Sequence, residues 1–124
     1  SKRLKLVNYY RELIEKVDFL SPAQKTKNSF SSNHIFPVRI KFDELNIKRN
    51  DLMIYLRDKS IITQVHYIPI PMHPYYNNKG YQANNFPNNM TYFNEALTLP
   101  LFYELEKDQV EYVLTNIKTF FQHI

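Results

Sequence analysis

The chain contains no cysteine and a single glycine. Without thiols there is no disulfide framework, no thiolate nucleophile and no cysteine zinc site, and a reducing compartment, by default cytoplasmic, is the expected location. The lone Gly80 excludes more. Phosphate cradles and dinucleotide turns use clustered glycines to bring backbone amides against the ligand, so a self-contained P-loop or Rossmann site is ruled out, as is a G-x-S-x-G nucleophile elbow. Long apolar runs are missing too, and the opening Ser1-Lys2-Arg3-Leu4-Lys5 lacks the apolar region of a secretory signal. Neither a membrane span nor export is expected. Sixteen basic against twelve acidic side chains give a net charge of +4 with no polycationic stretch, and such a balance calls for no nucleic-acid partner.

What remains is enough for one folded domain. The 124 residues are 44% apolar and 15% aromatic, far from the composition of chains with nothing to bury. Leu4, Val7, Tyr10, Ile14 and Val17, flanked by Leu6 and Leu13, recur at helical spacing and predict an amphipathic helix over 2–17. Its first turn carries Lys2, Arg3 and Lys5 where the helix dipole favours acids, with no capping lead-in, as expected of a helix cut from something longer. Pro22 and the polar run 24–33 predict a loop. Phe36, Val38, Ile40 and Phe42 then alternate with Pro37, Arg39 and Lys41, the period of a half-buried strand over 34–42. Pro37 puts that strand at an edge or turns its ring to an unpaired side.

Residues 47–59 have helical spacing at Leu52, Met53 and Leu56, with Asn46 or Asn50 as N-cap. A β-branched strand is predicted over 61–67. The span 68–89, crowded with proline and asparagine, is too long for a plain connection. A short helix over 91–97, a short strand or extended turn over 98–101, and a terminal helix from about Glu106 complete the order. That last helix carries the stripe Val110, Val113, Leu114, Ile117, Phe120 and Phe121. The sum predicts an α+β fold: a small, few-stranded, largely antiparallel sheet covered by helices on one face. The other face is left to the long loop or to a partner outside the chain.

The richest chemistry lies between Gln64 and Tyr76, which holds His66, Tyr67, His73, Tyr75 and Tyr76. Imidazoles and phenols donate and accept hydrogen bonds and stack, which suits a polar, ring-containing ligand. Equally, Tyr75, Tyr76 and Tyr81 could serve only to pack the loop onto the sheet. A zinc reading of His66 and His73 fails, since no third ligand and no H-E-x-x-H accompany them. His34 follows the small polar run 28–33, which suits a phosphate-facing loop or a capped turn. Glu95, Glu104, Glu106 and Asp108 form no pair of defined separation, so no acid–base dyad follows.

Five strings in order carry a resemblance: Ser32 to Ile40, Arg49 to Leu56, Ile61 to Tyr67, Pro69 to Tyr76, and Leu97 to Phe102 followed by Gln109 to Val113. The V-H-Y-x-P run at Val65, the H-P-x-Y run at His73 and the L-T-L-P-L-F run at Leu97 are its specific parts. The chain resembles the C-terminal part of the DegT/StrS-type nucleotide-sugar aminotransferases. Within them it looks most like the enzymes that aminate a UDP-linked 4-keto-6-deoxy sugar on the way to pseudaminic acid and related surface glycans. The resemblance implies a fold-type-I transaminase that uses pyridoxal phosphate, takes its amino group from glutamate and works as a homodimer.

Carried over, His66, Tyr67 and His73 match the small-domain segment facing the sugar-nucleotide cleft, with Tyr75 and Tyr76 as neighbours, and His34 matches the histidine in the segment entering that domain. Residues 1–20 would be the remnant of an interdomain helix and 21–124 the C-terminal small domain. The large domain, with the lysine that anchors the cofactor, has no counterpart here. None of the lysines sits in that motif, so pyridoxal phosphate is expected in the full-length enzyme and no catalytic or cofactor-binding residue in this chain alone. Ser60 stands where the family has glycine after the helix, a cost of about 1 kcal/mol if the left-handed geometry is kept. Two other readings stay open: a stand-alone binding module for single-stranded nucleic acid using Tyr55, Tyr67 and Tyr112, which lacks the glycines of the usual motif, and a non-catalytic dimerisation domain.

Overall fold

The element order is α1 (Lys2–Ile14), β1 (Leu20–Pro22), β2 (Phe36–Ile40), α2 (Arg49–Asp58), α3 (Pro74–Asn78), α4 (Pro87–Glu95), β3 (Ala96–Leu99) and α5 (Lys107–Gln122) in the computed structural model, which describes residues 1–23 and 27–124. Gln24, Lys25 and Thr26 of the expected polar loop lie outside the described residues. The strands form one antiparallel sheet in the order β1-β2-β3. This is the expected α+β architecture. No helix among the described residues is long and apolar enough to cross a membrane.

Register decides which side chains share a face. Leu20 pairs with Ile40, Val38 with Leu97 and Phe36 with Leu99, so these six lie together on one side, and all are buried. Onto them pack Leu6, Val7, Tyr10 and Ile14 of α1, Leu52 and Leu56 of α2, and Val110, Val113, Leu114 and Ile117 of α5. Tyr10 stacks on Phe36 with ring centroids 4.8 Å apart and donates its hydroxyl to the Pro100 carbonyl at 2.9 Å. Burial pushes its phenol above the usual tyrosine range. The opposite face, with Ser21, Pro37, Arg39, Ala96 and Thr98, is covered only in part. Arg39 Nε donates to Glu95 at the end of α4 at 2.7 Å, while Ser21 stays exposed.

Several expectations are corrected. The start of α1 is capped: the Ser1 hydroxyl accepts from the Leu4 N–H at 3.3 Å, and Lys2 pairs with Glu106 at 2.9 Å. The helix stops at Ile14, and buried Val17 is held in a turn by its N–H to the Ile14 carbonyl at 2.8 Å. That turn feeds β1, a strand of 3 residues within the expected loop and too short to show a period. β2 is the central strand, and Pro37 is tolerated because β1 runs out beside it. The Pro37 carbonyl accepts from Ala23 just past the end of β1, so the missing N–H faces that frayed end. Neither Asn46 nor Asn50 caps α2. The N-cap is Lys48, without a side-chain bond, because Asn46 is taken up in a left-handed turn at φ 54°.

The strand expected over 61–67 is reduced to one bridge, Gln64 with Thr98. Its partner β3 is only 4 residues long and is ended by Pro100, which has no N–H to extend a ladder. The span 68–89 is a string of short helical turns, three of the four with a proline in their first positions. Pro74 and Pro87 open α3 and α4, and two 3₁₀ turns lie at Ile70–Met72 and Ala83–Asn85. Helix α4 therefore starts before the expected 91, and β3 before the expected 98. Arg49 ties this string to α2: its guanidinium lies 4.8 Å from the Phe93 ring and donates to the Phe93 carbonyl and, at 3.1 Å, to that of Ala96. A cation there complements the negative end of α4.

Candidate functional site

A cleft of about 450 Å³ opens beside β3, lined by His34, Ile35, Ser60, Ile62, Gln64, His66 and the run Thr98 to Phe102. Three separate stretches build it. His34 arrives on the lead-in to β2, after a turn closed by the Asn33 N–H to the Ser31 hydroxyl at 3.1 Å. A side-chain hydrogen bond thus closes the last residues of the run before His34. Its Nδ1 lies 3.5 Å from Arg3 Nη1 on the first turn of α1. Gln64 and His66 come from the extended segment after α2 and, two residues apart, project to the same side. Backbone hydrogen bonds of 2.7 and 3.2 Å between Gln64 and Thr98 pin that segment to the sheet, and His66 Nδ1 lies 2.8 Å from the Thr98 hydroxyl. Leu99 and Phe102 add an apolar wall, and Phe102 is exposed enough to offer its ring face to a ligand.

Of the six residues predicted, the structure brings His34 and His66 to this cleft and leaves the others outside its lining. Tyr67 meets the His66 ring edge-on at 4.6 Å, but its side chain is 74% exposed. His73 Nε2 lies 3.3 Å from the Ile68 carbonyl, which ties it to its own turn. Tyr75, Tyr76 and Tyr81 lean edge to face on one another and stay exposed, with Lys79 over the Tyr75 ring at 4.9 Å. They do not pack the loop onto the sheet. Gln64, Thr98 and Phe102 were not singled out by sequence reasoning. The available signal was Thr98, a polar residue inside the apolar run Leu97 to Phe102.

The lining offers imidazoles, an amide, hydroxyls and an aromatic face, and no carboxylate or lysine. That set can donate and accept hydrogen bonds and offers a ring face for stacking. Among the described residues no group of three potential ligands could hold a metal ion. The cleft does not fit pyridoxal phosphate as its seat. It has no amine to bond the aldehyde, and Gly80, the residue best suited to close amide contact, stands at φ 92° on a turn outside the lining.

Residues 1–118 match the model of the DegT/DnrJ/EryC1/StrS aminotransferase family. The chain belongs to that family. The spore coat polysaccharide biosynthesis protein SpsC of Bacillus subtilis is 32% identical over 87 residues, 68% of this chain and 22% of that protein. The dTDP-3-amino-3,6-dideoxy-alpha-D-galactopyranose transaminase of Aneurinibacillus thermoaerophilus is 28% identical across 96% of this chain and 31% of its own length. Among solved structures, the putative sugar aminotransferase Spr1654 of Streptococcus pneumoniae in its PMP form superposes with a TM-score of 0.84 at 28% identity, covering 98% of this chain and 30% of that one. The chain thus spans less than a third of the length of these relatives.

Proposed function

We propose that this chain is the C-terminal small domain of a sugar aminotransferase, with 1–20, whose helix runs from Lys2 to Ile14, as the remnant of the interdomain helix and 21–124 as the domain, and that its cleft receives a nucleotide-linked keto sugar. The observation that carries this reading is the convergence of His34, Gln64, His66 and Thr98 on one concave site in a member of this family. In this reading the substrate is a 4-keto-6-deoxy sugar on a uridine or thymidine diphosphate, made for a surface polysaccharide, and glutamate is the amino donor. Pyridoxal phosphate supplies the amino-transfer chemistry, seated in the part of the relatives' length that this chain does not span. His66 and Gln64 bind and orient the sugar, Thr98 holds His66 in place, His34 with Arg3 borders the same space, and Phe102 shields one side. Tyr67, His73, Tyr75 and Tyr76 belong to an exposed apolar arm that supports a homodimer, the arm meeting the mate in the cytoplasmic enzyme. The nucleic-acid reading loses its platform, because Tyr55 and Tyr112 lie on α2 and α5 and Tyr67 lies outside the strands.

Titrating the isotope-labelled chain with UDP-linked and dTDP-linked 4-keto-6-deoxy sugars tests this. Amides at His34, Gln64, His66 and Thr98 are expected to shift with one of the two, and His66→Ala to weaken that binding about tenfold, as for a lost hydrogen bond to a polar ligand. Shifts confined to the arm, or none with either sugar, would sink the proposal. Shifts with an oligonucleotide alone would put the binding module in its place.

A further inference from the structure

Thr98 holds the cleft segment twice. Its backbone exchanges both hydrogen bonds with Gln64, and its hydroxyl lies 2.8 Å from His66 Nδ1. Its side chain sits on the sheet face opposite the leucine-rich core and is 7% exposed. A buried hydroxyl has one proton to place and two lone pairs to satisfy, and an orphaned donor is the rarer and costlier case. Nδ1 of His66 is the hydrogen-bond partner that the described residues give this hydroxyl. If Nδ1 carried the proton instead, the hydroxyl would accept there and its own proton would be left without a partner.

We infer that Thr98 is a positioning residue: it donates to Nδ1 of His66, fixes the neutral tautomer with its proton on Nε2, and turns that N–H into the cleft as a donor to a ligand oxygen. The role assigned to the N–H rests on the ligand-site reading of the cleft. The tautomer itself does not. A donor at this point favours a keto, hydroxyl or phosphate oxygen and disfavours a protonated amine, which has no lone pair to offer. The nearby Thr63 provides an internal contrast, since its hydroxyl is also buried but has no hydrogen-bond partner among the described residues.

Long-range proton–nitrogen NMR of the imidazole rings at a pH where His66 is neutral tests the assignment. In the unaltered chain His66 should show an unprotonated, hydrogen-bonded Nδ1 and a protonated Nε2, each at its limiting shift without averaging. Thr98→Val should move both nitrogens toward the averaged shifts of a free imidazole, Thr98→Ser should restore them, and Thr63→Val should leave them alone. Averaged shifts or a protonated Nδ1 in the unaltered chain would overturn the inference, and that spectrum decides even if Thr98→Val fails to fold. So would an unchanged His66 in folded Thr98→Val. Affinity for the nucleotide sugar should fall about fivefold in Thr98→Val and stay within about twofold in Thr98→Ser. If neither sugar binds while the tautomer behaves as stated, the proposed function fails and the assignment of Thr98 stands.

Discussion

The helices α1, α2 and α5 and the arm from Tyr67 to Phe86 are shaped by different forces. In the helices, apolar residues recur at three and four positions and every stripe is buried against the sheet. In the arm prolines stand at the starts of the turns Ile70–Met72 and Pro74–Asn78 but not of Ala83–Asn85, and apolar side chains such as Ile70, Met72, Tyr75 and Phe86 face solvent. Exposed apolar side chains gathered in one segment suit a contact beyond the chain's own core. The cleft lies on the seam. Thr98 and Leu99 belong to the rigid sheet, while Gln64 and His66 sit on the segment that runs on into the arm. The packed half therefore holds one wall of the cleft, and the segment leading into the arm holds another.

The sharpest way to break this contrast is to truncate one apolar side chain in each region. Leu56 is fully buried, and Leu56→Ala is expected to cost about 2–5 kcal/mol through lost burial and the cavity left behind. Tyr75→Ala, in the arm, should change stability by no more than about 0.5 kcal/mol. Paired urea denaturation curves check both. A loss of several kcal/mol on truncating Tyr75 would mean that the arm folds back onto the chain, and the contrast would be wrong.

The same contrast explains what could be read in advance. Long stripes such as Val110 to Phe121 announce α5 because burial of one face enforces the period. β1, with 3 residues, has no period to show, and whether 61–67 forms a full strand depends on a partner cut short by Pro100 far along the chain. His34 and His66 could be singled out by chemistry and resemblance. Thr98 stands out locally only as a polar residue in an apolar run, and its place in the cleft comes from the antiparallel pairing that brings 98 beside 64, a relation no local pattern encodes. Tyr67, Tyr75 and Tyr76 follow His66 closely in sequence, yet they are exposed and lie outside this lining.

A smaller effect tests the join between core and cleft. Tyr10 is fully buried, and its hydroxyl holds the Pro100 carbonyl at the end of β3. Tyr10→Phe should cost about 1 kcal/mol, the usual worth of one such bond. Burial raises the phenol's pKa in the fold above its unfolded value of 10.0, so the folded state keeps the proton longer. The stability this contributes is fully present below that value and is lost as pH rises beyond it toward the folded pKa. Stability against pH should therefore fall more steeply in the unaltered chain than in Tyr10→Phe at alkaline pH, so that the two curves converge. Parallel curves would place Tyr10 in contact with water.

The smallest expected effect lies at the turn between α2 and the cleft segment. Ser60 holds φ 62°, while its N–H bonds the Arg57 carbonyl at 2.9 Å and the next N–H, of Ile61, reaches Leu56 at 2.8 Å. This pair of bonds closes a helix with a left-handed residue, the position where a side chain is strained and glycine is not. Ser60→Gly should therefore raise stability by about 0.5–1 kcal/mol, the relief of strain being offset in part by the greater freedom of glycine when unfolded. Because Ser60 also lines the cleft, the variant separates backbone from ligand. Higher stability with unchanged sugar binding makes this residue part of the packed half alone, whereas higher stability with weaker binding assigns its hydroxyl to the ligand and moves the seam between the two regions back to the end of α2.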